Sequence, residues 1–379
     1  MNITDLNPNE IPLASTLIEN VHGKTPLVSY GKIHSDGYNV NLYVKMDTLN
    51  PGGSFKDRGS LYFVAKAVGR GKLRRRDTIV TASAGNHAKG VAKAARDYGL
   101  NSVIFMSDQT PRTKIQGTKR LEADVRLIDG DYHEAAKQAE EFSREKRITY
   151  IPAYEHPDII LGQSTVVTEA IGQAFSENFH PDFIVFPFGG GGLANGGGLA
   201  AKYWQDHFLF TKDGSREKTH TYGVQSENFN TMVRSFQSGR IEEYQERGLT
   251  IADGIKVPHA SESMLQLTRF FIEDMFDVTE EEIRTAIKKV YESEMIARIK
   301  QLSPEKLLEL GFRSNHIQGL DKLNIIEGAA AAAFACAFSK DKIPYEQLAK
   351  EVHPRKEING IIIASGNNID QGLLEEIVG

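Results

Sequence analysis

The chain has 379 residues, 45 of them basic and 50 acidic, for a net charge of -5, which gives nucleic acid or an anionic membrane no global attraction. Its length is ample for a packed core, and its one cysteine, Cys336, excludes an internal disulfide and fits a reducing cytoplasm. The N-terminal stretch has no basic region ahead of an apolar run, and no apolar run reaches the roughly 18 residues of a membrane span, so neither export nor a membrane partner is expected.

From Asn41 onward short apolar, β-branched runs alternate with segments of helical period, the pattern of an α/β protein with mainly parallel sheets. In chain order the predicted strands are residues 42–45, 78–81, 102–106, 125–128, 150–151, 183–186, 221–224 and 360–363. Between them helical patterns occupy 88–97, 132–144, 159–175 and 280–291, and the alanine-rich run 328–338 around Cys336 reads as a tightly packed helix. Arg70, Lys72, Arg74, Arg75 and Arg76 cluster between a helical pattern and a strand without aromatic partners, which is read as a solvated connection and not as a nucleic-acid site. Two stretches break the rhythm: 206–220 reads as a polar surface excursion and 293–324 as a helical insertion. Residues 78–154 hold a short βαβα series of their own. The expected division is therefore a large lobe of residues 1–77 and 161–379 and a small lobe of 78–160, with a ligand cleft between them.

Three glycine-rich segments follow predicted strands, where bare amides can approach a ligand. The first, Asn50-Pro51-Gly52-Gly53-Ser54-Phe55-Lys56-Asp57-Arg58-Gly59, sets one lysine at the predicted start of a helix. Lys56 beside helix amides and Arg58 is suited to a lowered pKa and attack on an aldehyde, or else to plain phosphate contact or solvation. The second, Ser83-Ala84-Gly85-Asn86-His87, opens the helical pattern after strand 78–81, so its amides suit a carboxylate, or Ser83 or Asn86 simply caps the helix. The third, Gly189-Gly190-Gly191-Gly192-Leu193, leaves no side chains between backbone N–H groups and a dianion. It has neither a P-loop lysine nor the acidic residue of a dinucleotide site, which favours a smaller phosphate over a nucleotide; a flexible turn is the plain alternative. Ser365, in Ala364-Ser365-Gly366-Asn367-Asn368, puts a hydroxyl at the end of the last strand.

Taken in this order, the segments resemble the fold-type II (tryptophan synthase β-like) pyridoxal phosphate enzymes along nearly the whole chain. Ser54 to Gly59 and Ser83 to Gly90 resemble the threonine and serine dehydratases, whereas Asn50 to Gly53 and Asp57 are closer to threonine synthases. Ala252-Asp253-Gly254 and Glu327 ahead of the alanine run are further similarities to dehydratases. The resemblance implies two lobes, each with a mainly parallel twisted sheet flanked by helices, and pyridoxal 5'-phosphate as cofactor. It implies β-elimination from an amino acid such as L-threonine or L-serine to a 2-oxo acid and ammonia. Threonine synthase or a β-replacement reaction is the alternative, and a non-catalytic cofactor-binding regulator is a third reading.

By the same resemblance Lys56 carries the cofactor and is the base at Cα, with Ser83 the second catalytic residue. Gly189, Gly190, Gly191, Gly192 and Leu193 hold the phosphate, Asn86 the ring hydroxyl, Phe55 the ring face and Ser365 the pyridine nitrogen. Ser83, Ala84, Gly85, Asn86 and His87 bind the substrate carboxylate. Ala84 stands where serine racemases of the family carry a second serine, which disfavours racemisation. Gln225 replaces a glutamate that binds a divalent cation in many relatives, so no metal is expected. A homodimer is expected.

Overall fold

The computed structural model describes residues 1–379 apart from 36, 209–216, 314–315, 317–324 and 352–356. Its strands are β1 (Leu27–Ser35), β2 (Tyr38–Met46), β3 (Thr78–Ala82), β4 (Asn101–Ser107), β5 (Asp124–Ile128), β6 (Thr149–Tyr150), β7 (Phe183–Pro187), β8 (His220–Ser226), β9 (Asp274–Val278) and β10 (Ile358–Ala364). They form a six-stranded sheet in the order β1-β2-β10-β7-β8-β9 and a four-stranded sheet in the order β5-β4-β3-β6. All strand pairings are parallel except that of β1 with β2. Two mainly parallel sheets flanked by helices are thus the architecture expected from the sequence. In β10 every residue is buried, and Ile362 pairs with Val44 of β2 on one side and Val185 of β7 on the other. An unbroken apolar run is the mark of such a strand, covered on both faces.

The outermost strands of the larger sheet, β1 and β9, are not apparent in the sequence pattern. In β1 the register shifts between Ser29 and Gly31, which breaks the alternation that would have revealed it, and β9 is a five-residue strand with an aspartate at its first position and a second within it. The helix Ile11–His22 is likewise absent from the predicted elements, although it buries Ile11, Ala14, Ile18 and His22 at helical spacing. Strand 150–151 lies one residue earlier, as β6. Residues 209–216 of the expected excursion fall outside the described residues. The described part of 293–324 forms the helices Met295–Lys300 and Pro304–Glu309. Cys336 is buried in helix Gly328–Phe338, and burial raises its thiol pKa.

Small residues set the depth at which the helices around the site pack. Gly162 of helix Pro157–Ser176 faces Gly59 of helix Lys56–Gly69 so closely that an added Cβ would lie 2.6 Å from the Gly59 Cα. The glycines 196–198, which would weaken an isolated helix by about 1 kcal/mol each, lie within helix Gly192–His207. A Cβ on Gly196 would meet the Ile160 carbonyl at 2.5 Å and one on Gly198 the Phe271 carbonyl at 2.3 Å, so their absence of side chain is what lets the neighbours approach.

A buried ionic network anchors the helix that begins at Lys56. The Arg58 guanidinium donates to both oxygens of Asp47 at 2.7 and 2.8 Å, to Glu169 at 2.7 Å and to the Thr25 hydroxyl at 3.0 Å. Lys45 donates to Glu169 at 2.8 Å, to Gln173 at 2.6 Å and to the Thr25 carbonyl at 2.6 Å. Burial alone would raise the Glu169 pKa, but Arg58 and Lys45 hold it down at about 2; burial lowers that of Lys45 to about 8.

At the amino end of β8, far along the strand from the loops described below, His220 is hydrogen-bonded at Nδ1 to Glu273 (2.8 Å) and at Nε2 to Glu351 (2.6 Å). Burial lowers its pKa, but the two carboxylates outweigh burial and the net shift is upward. A folded-state pKa above the unfolded value contributes stability that is complete below the unfolded imidazole pKa of about 6.5 and is lost as pH rises through the folded value. The expected result is that wild-type stability falls as pH is raised through that window, while His220→Asn is less stable at low pH and flat across it. Urea denaturation at a series of pH values measures this; parallel curves for the two proteins would refute it.

Candidate active site

Ligands in open parallel sheets bind at the carboxyl ends of the strands, and here the loops after β2, β3, β7 and β10 meet at one place. The loop after β2 leads to Lys56, the first residue of helix Lys56–Gly69, with Phe55 at the N-cap. The backbone N–H of Phe55 donates to the Ser365 carbonyl at 2.9 Å, and Ser54 and Gly366 form an antiparallel bridge, so the loop after β10 fixes the approach to the lysine. The Lys56 amine donates to the Ala153 carbonyl at 2.7 Å and lies 5.1 Å from the centre of the Phe55 ring. Burial lowers its pKa to about 8, opposed by the charge of Glu327. Phe55 and Lys56 are half-buried and Ser365 is fully buried.

After β3 the chain passes Ser83, Ala84 and Gly85 into helix Asn86–Asp97. No side chain caps this helix; Gly85 is the N-cap. The capping alternative for Ser83 and Asn86 therefore fails, and the first-turn amides stay available to a carboxylate. The Ser83 hydroxyl accepts the Gly85 N–H at 3.1 Å and keeps its own proton to donate. Ala84 packs against the core of the small sheet. His87 is buried, its Nε2 at 3.1 Å from the Ile151 carbonyl; burial and the nearby Lys56 charge lower its pKa to about 3. It is a neutral anchor for the 151–154 segment, and of His87 only the backbone N–H is at the helix start.

Asn86 donates its side-chain N–H groups to both oxygens of Glu327 at 3.0 Å each, while its buried Oδ1 has no hydrogen-bond partner among the described residues. Glu327 also accepts the Asn368 N–H at 3.2 Å, and Lys89 donates to the Asn368 Oδ1 at 3.0 Å. Burial raises the Glu327 pKa against these bonds.

The loop after β7 runs from Phe188 to Gly191, which adopts φ +87° as the N-cap of helix Gly192–His207 and has no side chain capping that helix. Leu193 is buried in the core, so only its backbone can face a ligand. One turn into the helix, the fully buried Asn195 has no partner among the described residues for either side-chain polar atom, and its Nδ2 would lie 3.1 Å from a Cβ on Gly191.

Asp57 and Gln225, which differ from the dehydratase pattern, and Asn367 beside Ser365 each have a structural partner. Asp57 accepts the Gly52 N–H at 2.5 Å, Asn367 donates to the Thr48 carbonyl at 3.1 Å, and the buried Gln225 accepts the Val233 N–H at 3.0 Å. Ala153, Tyr154, Asn195 and the contact of Glu327 with Asn86 are additions that only the structure supplies. Nothing in their local sequence marks them, because they reach the site by packing of distant segments.

Residues 18–298 match the family described as pyridoxal-phosphate dependent enzyme. The chain is 29% identical over 306 residues to the biosynthetic L-threonine dehydratase of Haemophilus influenzae, which aligns with 80% of this chain but only 56% of its own length. It is 29% identical over 371 residues to the L-threonine ammonia-lyase of Thermotoga maritima, covering 97% of this chain and 77% of that protein. Among solved structures it is similar to the processed form of threonine deaminase isoform 2 from Solanum lycopersicum, with a TM-score of 0.72, 26% identity, and coverage of 98% of this chain and 88% of that one.

Proposed function

The chain belongs to the family of pyridoxal-phosphate dependent enzymes, and from that premise we propose that it is an ammonia-lyase that eliminates the β-hydroxyl of an amino acid such as L-threonine or L-serine as water, the enamine so formed taking water back on hydrolysis to a 2-oxo acid and ammonia. The observation that carries the reading is the half-buried Lys56 amine, with its pKa of about 8, among loops that offer amides to two anions.

When bound, pyridoxal phosphate supplies an aldehyde that condenses with an amine and a ring that withdraws electrons from the neighbouring carbon. The residues present fit it. The buried Oδ1 of Asn86 lacks a partner and suits a ring hydroxyl, and the uncapped glycine loop over the unpartnered Asn195 suits a phosphate. Phe55 offers its ring face and Ser365 a neutral hydroxyl, which gives a ring nitrogen no negative partner and so favours elimination over transamination.

In this reading Lys56, partly uncharged near neutral pH, takes the proton from the substrate Cα. The amides at the start of helix Asn86–Asp97 hold the substrate carboxylate, and the Ser83 hydroxyl donates to it. Glu327 orients Asn86 through two hydrogen bonds. The threonine-synthase-like residues give no support to a second reading, since Asp57 serves the loop.

Two more parts of the proposal are a homodimer and a cytoplasmic location; among the described residues no helix is long and apolar enough to cross a membrane. Light scattering of the purified protein checks the dimer. The reaction itself is tested by adding L-threonine, L-serine and O-phosphohomoserine to cofactor-loaded protein and assaying 2-oxo acid and ammonia. Equal amounts of the two products from threonine or serine are expected. A lysine-linked cofactor without 2-oxo acid from either would overturn the dehydratase reading.

A further inference from the structure

The segment between β6 and helix Pro157–Ser176 touches both ends of the site through two consecutive residues. At one end the Ala153 carbonyl accepts the Lys56 amine at 2.7 Å. At the other, Tyr154 lies on the glycine loop: a Cβ built on Gly190 would fall 2.4 Å from its ring, and one on Gly192 would fall 3.0 Å from its Cβ. The three nearest atoms to that imagined Gly190 Cβ all belong to Tyr154, and Gly190 does not adopt a positive φ. The tyrosine ring therefore stands where a side chain at Gly190 would lie. Behind the segment, the His87 imidazole is held on the Ile151 carbonyl, and the His156 N–H closes a turn on the Tyr154 carbonyl at 3.0 Å. The dipeptide is thus braced from both sides.

Resting on the assignment of Lys56 and the glycine loop above, we infer that Tyr154 is a positioning residue whose ring, wedged on Gly190, sets the distance between the phosphate loop and the Ala153 carbonyl that holds the Lys56 amine. When the substrate amine displaces Lys56, that carbonyl is the place where the released amine rests, ready for the proton at Cα. The fit is one of shape. Tyr154 contributes an aromatic plate that a glycine can touch and an alanine cannot, so the phenol oxygen is dispensable. Burial also raises the pKa of that phenol, which stays protonated.

The test is a double-mutant cycle on cofactor-free protein, titrated with pyridoxal phosphate and, separately, with pyridoxal. Tyr154→Ala should weaken pyridoxal phosphate binding by about tenfold or more while changing pyridoxal binding much less, and Tyr154→Phe should keep wild-type affinity. Gly190→Ala should weaken binding on its own, yet add nothing further in the Tyr154→Ala background, where the ring that the methyl would meet is gone. A Tyr154→Ala protein that binds pyridoxal phosphate like wild type, or additive effects in the double variant, overturns the inference. The underlying assignment fails differently: wild-type protein would then take up pyridoxal phosphate without the absorption of a lysine-linked cofactor.

Discussion

Replacing Lys56 by alanine is expected to abolish the absorption band of the lysine-linked cofactor and to lower turnover of L-threonine or L-serine by at least about four orders of magnitude. The side chain is given two tasks, attachment of the cofactor and movement of the Cα proton, and no other described lysine lies against the Ala153 carbonyl and the Phe55 ring. Lys56→Arg should fail almost as badly, since a guanidinium stays charged and is a poor nucleophile. Pyridoxal phosphate should still bind to Lys56→Ala through the glycine loop, more weakly and without the band. Because the Glu327 charge raises the Lys56 pKa against burial, Glu327→Gln should move the pH midpoint of band formation below that of wild type. Measured absorbance and 2-oxo acid production decide the matter: a Lys56→Ala protein that keeps both band and turnover would remove Lys56 from the chemistry.

The largest loss of stability is expected at Arg58, two residues from Lys56. Its guanidinium is fully buried and makes three charge-assisted hydrogen bonds to two carboxylates. Arg58→Met would leave Asp47 and Glu169 buried with Lys45 as the remaining cation, and removing one partner of such a network destabilises by about 3–5 kcal/mol. The deficit should depend on pH in a defined direction. A carboxylate whose folded pKa lies near 2, below its unfolded value, contributes stability that is complete above about pH 5 and is lost as pH falls toward the folded pKa. The wild-type advantage should therefore be greatest at neutral pH and shrink in acid. Urea denaturation of both proteins at neutral and acid pH measures it, and a neutral-pH difference under about 1 kcal/mol would contradict the account. Arg58→Lys is expected to recover only part of the loss, because one ammonium cannot match the forked geometry.

How much of this was legible in sequence depends on how far apart the cooperating residues are. The alternation of apolar runs with helical periods was enough for two parallel-sheet lobes, because a strand buried on both faces must be apolar throughout, as β10 is. Lys56, the Ser83 to His87 loop and the glycine loop stood out because local order puts each after a predicted strand and at the start of a helical pattern, whereas the absence of a side-chain cap on helix Asn86–Asp97 was decided by the structure. The edge strands β1 and β9 were not, since an edge tolerates a bulge or polar residues that blur the period.

What only the tertiary structure decided are contacts between segments far apart in the chain. Sequence could not show that Asn86 meets Glu327, that the Lys56 amine rests on Ala153, or that Tyr154 lies on Gly190. Nor could it show that Asp57 serves a loop and Gln225 a helix amide. Local sequence specifies backbone geometry and periodicity, and these suffice to name most of the elements and the glycine-rich loops between them. The direction in which these buried polar groups turn is settled by the partners that close packing brings to them, since such a group left unpaired would destabilise the fold.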